Sequence, residues 1–138
     1  MKEGNAGMSF SIIVSTVGRL PELRDFFEGL VQQTYRDFET LVVDQSGASE
    51  VEALCDEYRP LLTIRHLPMT VRGLSRARNH GFAHSAGAVV TFADDDCVYP
   101  PHLLFEIDRH LAGAPQVHGV TTRSANAEGT ASVTRFDR

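Results

Sequence analysis

Short apolar, β-branched runs alternate with segments of helical periodicity, and that alternation leaves this chain few folds. Phe10-Ser11-Ile12-Ile13-Val14-Ser15, the run from Phe38 to Asp44, Leu61–Leu67 and Ala88-Val89-Val90-Thr91-Phe92 read as strands. Between them, Leu20–Gln33 carries Leu20, Leu23, Phe26, Phe27, Leu30 and Val31 at helical spacing, with Pro21 in its first turn. Ser49 reads as the N-cap of a second helix with Val51, Leu54, Cys55 and Tyr58 on one face. Leu74–Ser85 and Pro100–Leu111 make two more helices. Strands that are apolar on both faces need cover on both faces, and strand–helix–strand crossovers return in parallel. The expected architecture is α/β: an open, mostly parallel sheet flanked by helices, Rossmann-like in plan. Val117–Thr122 is a candidate fifth strand. The folded unit is expected over 9–123, with a flexible stretch at 1–8 and a loose tail over 124–138.

At 138 residues the chain fits one domain. Its net charge of −5 and isoelectric point near 5.6 give no general attraction for nucleic acid. A polyanionic ligand must therefore be met by a local basic cluster or a metal. The two cysteines, Cys55 and Cys97, suggest no disulfide framework. No run approaches the roughly 20 apolar residues of a membrane span. The expected setting is cytoplasmic, with the inner face of a membrane as a variant of it.

In such a sheet, ligands bind beyond the carboxyl ends of the strands. Those ends carry Ser15, Thr16 and Val17 after the first strand, Asp44 after the second, and Asp94-Asp95-Asp96 after the fourth. Three adjacent carboxylates store repulsion of about 1 kcal/mol per pair in water. An oxygen-bound divalent cation, Mn²⁺ or Mg²⁺, offsets it and brings a phosphate with it. The bland reading is a solvated acidic loop with a helix-capping aspartate. The stretch from Arg72 to Asn79 adds a cationic cluster at a helix start, where backbone N–H groups also favour an anion. Acids, a metal and arginines together suit a nucleoside diphosphate. Neither a Walker loop nor a Gly-x-Gly-x-x-Gly turn is present. His80 and His84 lie four apart on a helix without a third ligand at metal-binding spacing, and Cys97 reads as a small packed residue.

Five blocks then occur in order: Ser11–Thr16, Gln33–Glu39, Leu41–Asp44, Gly73–Gly81 and Phe92–Asp96. Their order and placement resemble family 2 glycosyltransferases, inverting enzymes of the GT-A fold. The resemblance spans Phe10 to about Val120. It implies a donor nucleotide-sugar, with a UDP-sugar favoured, a divalent metal, and a saccharide or lipid-linked acceptor of the kind used in cell-wall or polysaccharide synthesis. It implies that Ser15, Thr16 and Val17 line the base and ribose pocket, and that Asp44 accepts a hydrogen bond from the base. Arg78 would lie near the base or phosphates, with Asn79 steadying its loop. Asp95 would face the ribose and Asp96 the metal, with Asp94 as the first acid of a DxD pattern.

Two departures bear on the base: Val17-Gly18 stands where the family often has Tyr-Asn, and Gln45 stands where it often has a second acid. A third bears on catalysis. Inverting transfer needs a carboxylate to take the acceptor proton, and Asp108, Glu128 and Asp137 are weak candidates. The expectation is a donor-binding half, truncated before its acceptor segment, with self-association through the apolar surface so exposed. The competing readings are a non-catalytic nucleotide-binding or assembly module and a metal-dependent nucleotide binder unrelated to sugar transfer.

Overall fold

The computed structural model describes residues 7–122 and 133–136. Four parallel strands form the main sheet: β1 Phe10–Thr16, β2 Phe38–Asp44, β3 Ile64–Pro68 and β4 Val89–Asp94. Their order is β3-β2-β1-β4. Helices α1 Leu20–Val31, α2 Glu50–Tyr58, α3 Leu74–His84 and α4 Leu103–Ala112 alternate with them. The open parallel α/β sheet expected from the sequence is the observed fold.

The two apolar faces of β1 explain the layering. Phe10, Ile12 and Val14 share one buried cluster with Phe26, Phe27 and Leu30 of α1, Leu54 and Tyr58 of α2, and Leu104 and Ile107 of α4. Ile13, on the other face, packs with Leu41, Val43 and Ala77 of α3. Three helices thus cover one side and α3 the other. Alternate residues of a strand point to opposite faces, so a continuous apolar run is the only pattern that satisfies both layers. α3 lies close to the sheet because Gly81 has no side chain: a Cβ there would come within 2.5 Å of the Ile13 Cγ2.

Boundaries differ where local chemistry intervenes. The third strand begins at Ile64, not Leu61, because the Leu61 and Leu62 amides both bond the Tyr58 carbonyl and prolong the turn after α2. Ser49 precedes α2 but makes no side-chain cap bond. The fourth helix starts at Leu103, since Pro100, Pro101 and His102 form the turn leading into it. The fifth strand, β5 Gly119–Thr122, does not join the main sheet. It pairs antiparallel with β6 Val133–Phe136, a strand inside the segment expected to be loose. Residues 1–6, Glu128 and Asp137 lie outside the described residues.

The segment between the aspartates and α4 is clamped onto α1. Gln33, buried at the end of that helix, donates from Nε2 to the Pro100 carbonyl at 2.7 Å and accepts the Leu104 amide at 3.3 Å. Thr34 donates its amide to the Pro101 carbonyl at 2.9 Å. The loop that carries the acids is thereby tied at its far end.

Candidate active site

The chain order of the strands reverses between β1 and β4, so their carboxyl ends frame a crevice. In register, Ser15 of β1 stands beside Asp94 of β4, and Thr16 beside Asp44 of β2. A cleft of about 360 Å³ opens there, lined by Ser15, Thr16, Val17, Arg19, Gln45, Arg72, Gly73, Leu74 and all three aspartates. Gly73 adopts φ 151°, a conformation side chains disfavour, and its amide donates to the Gln45 Oε1 at 2.7 Å. That bond seats the start of α3 against the end of β2 and leaves Arg72 at the cleft.

The acidic triplet meets cations of the protein itself. Arg19 holds Asp95 by two hydrogen bonds, Nη2 to Oδ1 and Nε to Oδ2, and its Nη1 lies 3.7 Å from the Asp96 Oδ2. Arg78 lies 3.7 Å from the Asp94 Oδ1 and over the Phe92 ring at 5.6 Å from its centre. Two guanidinium groups therefore offset part of a charge that the sequence alone assigned to a metal. Asp95 is 4% exposed, whereas Asp94 and Asp96 are open to solvent.

Asp44 closes β2 beside the cleft-lining Thr16. It is 3% exposed and does not line the cleft. Its Oδ1 accepts the Ser46 amide at 2.9 Å and the Ser46 hydroxyl at 2.6 Å; its Oδ2 accepts from the His66 Nε2 at 2.8 Å. Burial pushes its pKa upward, but the Ser46 and His66 bonds outweigh that and hold it below the ordinary carboxylate range. A depressed carboxylate stabilises the fold above its unfolded pKa and loses that contribution as pH falls through the folded one. The stability difference between the wild type and Asp44→Asn should therefore be fully developed at pH 6 and shrink below about pH 4. Urea midpoints measured across that range check this; a difference independent of pH would refute it.

Of the residues named from sequence, Ser15, Thr16, Val17, Asp94, Asp95 and Asp96 are brought together at the cleft. Arg78 stands behind Asp94 without lining it. Asp108 is remote from the cleft, its Oδ1 accepting the Met8 amide at 2.9 Å and the Tyr35 hydroxyl at 3.4 Å. Arg19 and Gln45 also line the cleft, though the sequence assigns neither a binding role. The available signal was their position, each within the turn that follows a strand. Cys97 donates from Sγ to the Asp94 carbonyl, and its thiol is pushed up to about 11, chiefly by burial. It is a thiol, not a thiolate, at neutral pH.

The donor set suits a hard divalent cation. Asp94 and Asp96 are solvent-facing oxygen donors whose nearest guanidinium contacts, at 3.7 Å, are too long for hydrogen bonds. Among the described residues, no group of three or more His, Cys, Asp or Glu side chains is placed to hold a metal ion. One or two carboxylates completed by phosphate oxygens and water is the usual magnesium arrangement. The His80–His84 pair, with ring centres 4.6 Å apart, joins no such group either. No described helix is long and apolar enough to cross a membrane.

Known proteins place this geometry in a family. The chain is 29% identical over 119 residues to the uncharacterized glycosyltransferase YwdF of Bacillus subtilis, covering 80% of the chain and 41% of that protein. It is 34% identical over 108 residues to an uncharacterized glycosyltransferase of Haemophilus influenzae, covering 78% and 36% respectively. The chain thus spans about two-fifths of the length of these relatives. In structure it superposes on S. aureus TarS 1-349 in complex with UDP-GlcNAc with a TM-score of 0.76 at 22% identity, covering 89% of this chain and 37% of that one. The mannosyltransferase PcManGT from Pyrobaculum calidifontis, in complex with GDP-Man and Mn²⁺, gives 0.70 at 22% identity, covering 82% and 34%. These likenesses establish the shared fold. The family model for glycosyl transferase family 2 matches residues 11–132, nearly the whole described sheet and its helices. The chain belongs to glycosyl transferase family 2.

Proposed function

We propose that this chain is the donor-binding part of an inverting, divalent-cation-dependent glycosyltransferase that moves a sugar from a nucleoside-diphosphate sugar to an acceptor hydroxyl. The observation that carries the reading is the cleft itself. At the ends of β1, β2 and β4, open carboxylates of Asp94 and Asp96 stand with the cations Arg19 and Arg72 around one space. A diphosphate is the ligand class that uses both signs together.

Ser15, Thr16 and Val17 form the side of the cleft suited to base and ribose, and Gln45 extends it. Asp44 supports that side from beneath by fixing the Ser46 turn. Asp96, with Asp94 beside it, holds the cation, which when bound neutralises charge developing on the leaving diphosphate. Arg78 balances Asp94 from outside the cleft. In the transfer itself, the acceptor oxygen bonds the anomeric carbon as the bond to the diphosphate oxygen breaks, and the acceptor proton passes to a base. The residues gathered at the cleft account for the donor side of this reaction. The UDP-GlcNAc and GDP-Man complexes of the structural neighbours support a nucleotide-sugar donor, and a UDP-sugar is favoured.

Calorimetric titration with UDP, GDP and their nucleosides, in Mn²⁺ and in EDTA, tests the proposal. The expected result is tight diphosphate binding in Mn²⁺ that weakens at least about tenfold in EDTA, roughly 1.4 kcal/mol. Equal affinity for diphosphate and nucleoside under both conditions would overturn it.

A further inference from the structure

Asp95 is the one buried member of the triplet, between two exposed neighbours. A buried carboxylate needs partners, and both of its oxygens have the same one. Arg19 reaches it from the turn before α1, with Nε on Oδ2 and Nη2 on Oδ1. A fork meeting a carboxylate in this way fixes the guanidinium plane as well as its position. Arg19 remains about half exposed and lines the cleft, its Nη1 lying 3.7 Å from the Asp96 Oδ2. One edge of the guanidinium is therefore spent on Asp95. The other edge keeps uncommitted N–H donors in the cleft, next to the carboxylate best placed for a cation.

We propose that Arg19 is a diphosphate-binding residue of the donor site and that Asp95 is its positioning residue, not a ligand of the ribose. This rests on the nucleotide-sugar reading of the cleft. The guanidinium supplies a second, fixed positive group beside the cation held by Asp96, so the diphosphate is gripped from two directions. Arg72 lines the same cleft but, among the described residues, meets no carboxylate fork to hold its plane. Lysine replaces Arg19 only in part, because one ammonium cannot bond both oxygens of Asp95 and keep a second edge directed outward.

The test compares UDP with uridine in Mn²⁺ for wild type, Arg19→Gln, Arg19→Lys and Asp95→Asn, with thermal melts confirming that each variant is folded. Arg19→Gln should weaken UDP about tenfold or more, the range of a charge-assisted hydrogen bond, and leave uridine unchanged. Arg19→Lys should recover only part of the loss. Asp95→Asn should mimic Arg19→Gln on UDP, spare uridine, and add little to it in the double variant. A loss of uridine affinity in Asp95→Asn equal to its loss of UDP affinity would return Asp95 to the ribose and overturn the assignment. So would Arg19→Gln with unchanged UDP affinity. Wild-type protein that binds none of UDP, GDP or CDP would instead overturn the nucleotide reading on which the assignment stands.

Discussion

Replacing Asp96 with alanine is expected to lower UDP affinity in Mn²⁺ by about 100-fold, or roughly 2.7 kcal/mol. The size follows from the geometry. Asp96 is the exposed carboxylate at the rim of the cleft, and its nearest guanidinium contact, at 3.7 Å, is too weak to satisfy it. Its removal takes away one of the two open carboxylates at the cleft: Asp95 is committed to Arg19, and Asp94 alone is left. In EDTA the variant and the wild type should bind equally, because the lost interaction runs through the cation. Isothermal titration with and without chelator measures both limbs. A variant within about threefold of wild type in Mn²⁺ would remove Asp96 from the cation site.

Replacing Gly87 with alanine is expected to be the most damaging conservative change in the fold. Gly87 precedes β4 where the chain runs against β1. A Cβ there would meet the Ser11 amide nitrogen at 2.6 Å and the Phe10 carbonyl carbon at 2.7 Å. Those are main-chain atoms of a central strand and cannot step aside as the tip of a flexible side chain can. The same spot is a hydrogen-bond junction. The Gly87 amide donates to the Ser11 Oγ at 2.7 Å, the Ser11 hydroxyl donates to the Glu39 Oε1 at 2.7 Å, and the Ala86 amide donates to that oxygen at 2.9 Å. Relieving the clash by moving β4 breaks this junction. A loss of about 3 kcal/mol follows from overpacking of this kind, and at this size it lowers Tm by roughly 10 °C. Donor binding should fall with it, since Asp94 rides on β4. A melt within about 2 °C of wild type would show that the approach of the two strands relaxes freely.

The parts of the fold that were legible in the sequence are those where one periodicity meets one demand. Phe10–Ser15 puts Phe10, Ile12 and Val14 on one face and Ile13 on the other, and a strand between two helical layers uses such a run. Leu23, Phe26, Phe27 and Leu30 recur at helical spacing and are all fully buried. The acids at strand ends were legible because parallel sheets collect their loops at one edge. The surroundings of Asp44 were harder to read. It shares the alternation of Phe38, Thr40 and Val42, the face of β2 whose Phe38 and Val42 pack in the larger cluster, and its carboxylate meets His66 there, while Gln45 lines the cleft. Arg19 was not legible as a partner of Asp95, because nothing in the local sequence says which cation meets which acid once β1 and β4 become neighbours. β6 was not legible because four residues pairing with a short ribbon leave too brief a pattern to separate from a polar tail.

Arg19 and Asp95 are 76 residues apart, yet one ion pair joins them across the β1–β4 seam. The binding cleft is therefore not the property of any local segment. It exists only after the last strand of the main sheet has docked beside the first, the step that closes the longest loop and carries the greatest entropic cost of assembly. A nucleotide recognised by this cleft would select fully assembled molecules from all partly folded ones. At a hundredfold excess over its dissociation constant it would deepen the native state by about 2.7 kcal/mol. Supply of the donor and persistence of the folded chain would then be coupled through a single seam of the sheet.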